Sequence, residues 1–104
     1  MGYIEAMLEI RQTEVFRVWL AGLRDARAKA KIAARIRRIQ FGNAGDVKPV
    51  GSGVSEMRIE EGPGYRVYFI QRGEVVIVLL SGGTKTRQQE DIARAIGLAK
   101  DLEE

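Results

Sequence analysis

Residues 48–85, KPVGSGVSEMRIEEGPGYRVYFIQRGEVVIVLLSGGTK, decide how this chain folds. Three runs of strand character lie within them, at 54–60, 65–71 and 75–81, separated by Glu61-Gly62-Pro63-Gly64 and Arg72-Gly73. Both separators carry turn chemistry, because Gly takes positive φ without steric cost and Pro presets a turn-compatible φ. In the third run Val75, Val76, Ile77, Val78, Leu79 and Leu80 are apolar without alternation, which predicts an interior strand covered on both faces. The first two alternate. Met57, Ile59, Val67 and Phe69 fall on one face, and Glu56, Arg58, Glu60, Arg66, Tyr68 and Ile70 on the other. Cross-strand neighbours have Cβ atoms about 5 Å apart, so Glu56, Arg58 and Arg66 can form one cluster. Lys48 and Lys85, on the loops at either end, can overhang it. The same pattern also fits solvated cross-strand ion pairs, which contribute little to stability.

Working outward, residues 3–12 alternate as a first strand, with Ala6, Leu8 and Ile10 opposed to Met7, Glu9 and Arg11. Thr13 is a good helix N-cap, and Glu14 suits the positive end of the helix dipole. Val15, Phe16, Trp19, Leu20 and Leu23 then form one helical stripe. Asp25 can cap a second helix, along which Ala28, Ile32, Ile36 and Ile39 recur at spacings of four and three. So short a junction predicts a helix hairpin packed on one face of the sheet. Turn residues at 41–46 end the second helix, and a glycine-dense loop is expected to run to about Gly53. A last helix is expected over 87–102, with Ile92, Ile96 and Ala99 buried. The reading is one α+β domain, residues 1–104, in the order β-α-α-β-β-β-α, its sheet dominated by antiparallel pairs.

Composition narrows the chemistry. The chain has no Cys, which excludes disulfides and thiolate catalysis, and no His. Zinc sites are built almost always from His and Cys, so no transition-metal centre is expected, and no cofactor is read from the sequence. Any general acid or base must be Glu, Asp, Tyr, Lys or a solvent relay. No apolar run reaches the length of a membrane span and nothing resembles a signal peptide, so no membrane contact and a cytoplasmic location are expected. The formal charge of +3 is uneven: residues 24–38 hold seven basic side chains (Arg24, Arg27, Lys29, Lys31, Arg35, Arg37, Arg38) against Asp25. Charge gathered on one element suits nucleic acid or an acidic protein, and equally a solvated helix face.

Many of these residues recur in a known group. The segments Leu8-Glu9-Ile10-Arg11-Gln12-Thr13, Phe16, Trp19-Leu20 and Leu23-Arg24-Asp25 come first. Lys31-Ile32, Arg35-Ile36, Gly45-Asp46, Lys48-Pro49-Val50-Gly51 and Gly53-Val54-Ser55-Glu56-Met57-Arg58-Ile59 follow. Gly62-Pro63-Gly64-Tyr65-Arg66-Val67-Tyr68-Phe69 and Leu80-Ser81-Gly82-Gly83-Thr84-Lys85 complete them. Together they resemble the RelE/ParE superfamily of toxins from type II toxin–antitoxin modules, closest to the HigB-like addiction module killer branch.

The resemblance implies a RelE-like fold with a curved sheet, an N-terminal helix hairpin on one face, and a C-terminal helix. It implies a ribosome-dependent, metal-free mRNA endonuclease that inhibits translation, with ribosome, mRNA and a helix-turn-helix antitoxin as partners and a monomeric free toxin. Carried onto this sequence, Arg66 matches a phosphate-binding arginine, Arg58 a basic position on the preceding strand and Lys85, approximately, a basic position after the last strand, and Glu56 is the candidate base. Lys48, Arg24, Arg27, Lys31, Arg35, Arg38, Tyr68 and Arg87 are the expected RNA or ribosome contacts. One departure stands out. Where many relatives carry a His or Tyr near the start of the last helix, this chain has Arg87-Gln88-Gln89-Glu90-Asp91-Ile92. The ParE branch, which shares the fold but binds and inhibits DNA gyrase, and a catalytically weak RNA-binding homologue are the alternatives.

Overall fold

Thr13 ends the first strand and starts the first helix with one side chain. Its Oγ1 accepts the Phe16 N–H at 3.0 Å and donates to the Leu80 carbonyl at 2.6 Å, fastening the helix start to a distant strand. The computed structural model describes residues 7–102. In it β1 (Glu9–Gln12) is followed by α1 (Glu14–Gly22) and α2 (Ala26–Gln40). Next come β2 (Val47–Gly51), β3 (Val54–Ile59), β4 (Tyr65–Arg72) and β5 (Val76–Thr84). A 3-10 turn at Lys85–Arg87 leads into α3 (Gln88–Leu102). Asp25 caps α2, its carboxylate accepting the Ala28 N–H at 3.0 Å.

The five strands lie in the order β1-β5-β4-β3-β2. Only β1 and β5 pair in parallel; β5 with β4, β4 with β3 and β3 with β2 are antiparallel. The pair β3–β4 puts Glu56 opposite Tyr68 and Arg58 opposite Arg66. α1 and α2 cover one face, where Phe16, Ile32 and Ile39 meet Met57, Ile59, Val67, Phe69, Ile77 and Leu79. Fully burying such a side chain contributes roughly 1.5–3 kcal/mol. α3 covers part of the other face, with Ala95 and Ala99 against Val54, Tyr68, Ile70, Val78 and Leu80.

Two sequence expectations need correction. The glycine-dense loop contains a strand, β2, so the order is β-α-α-β-β-β-β-α. Pro49 and the flanking glycines argue against an interior strand, but β2 is an edge, where a missing N–H is tolerated. The other correction concerns Gly82-Gly83, which follow the third run as expected above over 75–81. β5 runs through both, because the two glycines make room for helices on opposite faces. Of the first strand expected over 3–12, Glu9–Gln12 is strand, and residues 3–6 lie outside the described residues.

Candidate active site

Strand register builds the site. Lys48, Glu56, Tyr68 and Ser81 form one row across β2 to β5, and Arg58, Arg66 and Gly83 lie in the next. Asp46 extends the second row from the residue before β2: its carbonyl accepts the Arg58 N–H at 3.0 Å, and its Oδ1 accepts Arg58 Nη2 at 3.0 Å. The second row opens onto a groove of about 610 Å³ lined by Asp46, Arg58, Glu60, Glu61, Arg66, Lys85 and the Gly62-Pro63-Gly64 turn. Lys85 is held at the rim by its own backbone, whose N–H donates to the Gly64 carbonyl at 2.9 Å. Gly64 has φ +79, a conformation that favours glycine, and it lies in van der Waals reach of Lys85. Arg58, Arg66 and Lys85 thus share one groove.

Glu56 does not. The sequence placed it on an open face as a base; in the fold it is 0% exposed, beneath the start of α3. Its Oε2 accepts the Tyr68 hydroxyl at 3.1 Å and the Gln88 carboxamide at 2.8 Å, and its Oε1 faces Arg66 Nε at 3.8 Å. A base must stand within about 2.6–3.2 Å of the proton it removes, or one water away, and α3 covers this carboxylate. Tyr68 is equally buried and cannot stack on a base. Burial and the neighbouring Glu56 push its phenol well above the ordinary tyrosine range, keeping it a neutral donor.

The expected RNA-contact residues divide. Arg24 and Arg38 on the α2 side and Lys48 on β2 are exposed, and none lines the groove. Lys31 pairs with Glu61 Oε1 at 2.8 Å and Arg27 with the same oxygen at 3.5 Å, so both brace the groove wall. Arg35 is scaffolding. It donates to the carbonyls of Arg58 (2.6 Å), Ala44 (3.2 Å) and Asp46 (3.3 Å), tying α2 to β3 and to the segment that leads into β2. Arg87 pairs with Glu90 and lines a separate cavity with Trp19, Gly83 and Asp91, away from the groove.

Three contributors escaped the sequence reading. Asp46 was hidden by the missing strand, since only β2 gives it a register against Arg58. Gln88 is one turn past Lys85, and nothing in its spacing announces a buried partner on β3. Asp91 lies over Gly83, where an added Cβ would stand 2.0 Å from its Oδ2. Burial is the main cause that pushes its carboxyl above the ordinary range. A raised folded-state pKa means the charged form is disfavoured, so this stabilising contribution is complete below the unfolded pKa and lost as pH rises through the folded one. Asp91→Asn stays neutral and keeps an acceptor oxygen. It is expected to raise the melting temperature at pH 7, with the gain vanishing below about pH 4; melts at pH 7 and pH 3.5 measure this.

Among the described residues no group of three or more carboxylate, His or Cys side chains is placed to hold a metal ion, and no helix is long and apolar enough to cross a membrane. No family model matches the sequence. An uncharacterized protein of Haemophilus influenzae is 50% identical over 95 residues, covering 91% of this chain and 96% of that protein. The fold is similar to a chain in the crystal structure of the toxin–antitoxin complex RelBE2 from Mycobacterium tuberculosis. The TM-score is 0.50 at 18% identity, over 81% of this chain and 98% of that one. The chain therefore has a RelE-like α+β fold, and it belongs to one family with the Haemophilus influenzae protein.

Proposed function

We propose that the chain is the toxin of a type II toxin–antitoxin module of the HigB-like branch, acting as a ribosome-dependent endonuclease on mRNA. The observation that carries this reading is the groove that gathers Arg58, Arg66 and Lys85 beside an accessible carboxylate. Cleavage needs a base to take the 2′-hydroxyl proton, so that the 2′-oxygen attacks the adjacent phosphorus. Asp46 takes that role in place of Glu56: it is half-exposed on the groove wall and fixed by Arg58. As the 2′-oxygen bonds to phosphorus the P–O5′ bond breaks, leaving a 2′,3′-cyclic phosphate. The departing 5′-oxygen takes a proton from Lys85 or from water. Arg58 and Arg66 stabilise the charge that grows on the non-bridging oxygens, usually the largest single effect in such a reaction. The 2′-hydroxyl makes the chemistry specific for RNA.

The exposed cations Arg24, Arg38 and Lys48 would hold RNA backbone, ribosomal or messenger, with an affinity that falls as salt rises. A helix-turn-helix antitoxin would neutralise the toxin.

The test is to express the chain in a translating extract and map mRNA ends. Cuts within ribosome-bound codons are expected from the wild type. Asp46→Asn is expected to slow them by about 10²-fold or more, the usual contribution of a general base. Intact mRNA together with blocked gyrase supercoiling would overturn the reading in favour of gyrase inhibition.

A further inference from the structure

Glu56 is the most deeply buried charged side chain among the described residues, and it lies outside the groove. A carboxylate withdrawn from water persists in a fold only when donors surround it. Here the donors come from two elements. β4 supplies Tyr68 and Arg66, and Gln88, the first residue of α3, supplies its carboxamide. Glu56 Oε1 and Arg66 Nε have no hydrogen-bond partner other than this loose mutual approach at 3.8 Å. Arg66 is itself 8% exposed, and its Nη1 donates to the Tyr65 carbonyl at 3.4 Å. Arg66 thus turns its Nε toward Glu56 while the residue also lines the groove. The second link runs along the chain. Gln88 immediately follows the Lys85–Arg87 turn, whose first residue is the groove's remaining cation.

We propose, building on the endonuclease reading, that Glu56 and Gln88 are positioning residues: Glu56 orients the Arg66 guanidinium, and the Gln88–Glu56 bond seats the turn that carries Lys85. One buried carboxylate then sets the placement of two of the three groove cations. It also couples α3 to the phosphate-binding groove, since lifting the first turn of α3 removes a donor from Glu56. Tyr68 completes the shell, its hydroxyl donating to Glu56 Oε2.

Glu56→Gln keeps the side-chain volume and an acceptor oxygen for Tyr68 and Gln88, while removing the charge that faces Arg66. Gln88→Ala removes the link from α3. Two measurements are made on each purified variant. The first is nitrogen-15 relaxation of the Arg66 Nε–Hε group, which reports order of the guanidinium whether or not the chain cuts RNA. The second is kcat and KM for cleavage of ribosome-bound mRNA, with a pH–rate profile. Loss of Arg66 order in Glu56→Gln is expected. So is a fall in kcat of about ten- to a hundredfold in both variants, as misplacement of a catalytic group produces. KM should change little and the pH–rate profile should keep its acidic limb. Unchanged Arg66 order in Glu56→Gln, or loss of the acidic limb, would overturn the proposal and return Glu56 to the role of base. Wild-type kcat in Gln88→Ala would sever the α3 link and overturn it too; if Glu56→Gln fails to fold, Gln88→Ala decides. A wild type that cuts no RNA sinks the endonuclease reading instead, and the relaxation data still judge the anchor.

Discussion

Arg66→Ala is expected to reduce cleavage of ribosome-bound mRNA by about 10²- to 10³-fold, the loss that follows removal of one preorganised donor from a charged transition state. The effect is large because Arg66 is mostly withdrawn from water, and its donors act where the local dielectric is low. Arg66→Lys keeps the charge but replaces a planar fork with a point charge, and should recover only part of the rate. The Ala variant also leaves Glu56 buried without its nearest cation. Breaking a buried pair from one side costs about 3–5 kcal/mol, so its melting temperature should fall as well. Rates are therefore compared at a temperature where circular dichroism shows both proteins folded. Full activity in folded Arg66→Ala would remove the groove from consideration as the active site.

A large loss of stability is also expected from a change at Gly82, where α1 closes on β5. A Cβ there would stand 2.3 Å from Trp19 Cε3 and Cζ3 and 2.4 Å from Cδ2, inside van der Waals contact with three ring atoms. The Trp19 ring cannot swing away freely. It lies 5.8 Å from the Phe16 ring and 6.3 Å from that of Tyr65, centroid to centroid, and packs on the helix-hairpin core. Overpacking of this kind costs about 1–3 kcal/mol and occasionally more, and Gly82→Ala should lie at the upper end. For a domain of this size that is on the order of 10 °C or more in melting temperature. Gly83→Ala is the instructive comparison. Its Cβ would meet Asp91 Oδ2 at 2.0 Å, a closer approach, but against the tip of a half-buried side chain that can rotate aside. A smaller loss is expected there. Equal melting temperatures for Gly82→Ala and wild type would show that α1 does not close on β5 as described.

Much of this architecture could be read in the chain before any coordinates. Thr13 and Asp25 cap their helices as N-cap chemistry requires, because each needs only its own local backbone. The alternation of Met57 and Ile59 with Glu56 and Arg58 assigned the faces of β3, since period two admits no other arrangement once one face is apolar. What failed was anything dependent on a third element. β2 went unseen because Pro and Gly weaken an edge strand's pattern, and with it went Asp46. The depth of Glu56 and Tyr68 was not legible either. Alternation says which face a residue takes, but not whether a helix arrives from elsewhere to cover it.

The helix starts, the strand faces and the gathering of Arg58 and Arg66 are local properties of the chain, because they follow from capping and two-residue periodicity. What their companions do depends on the folded packing. Arg35 and Glu56 read as surface charges, yet one is spent on backbone carbonyls and the other is sealed under α3. Lys85 and Asp46 are 39 positions apart in the chain and reach one groove through strand register and a turn. Desolvation and contact between distant segments set those roles, and neither is encoded in the spacing of neighbouring residues.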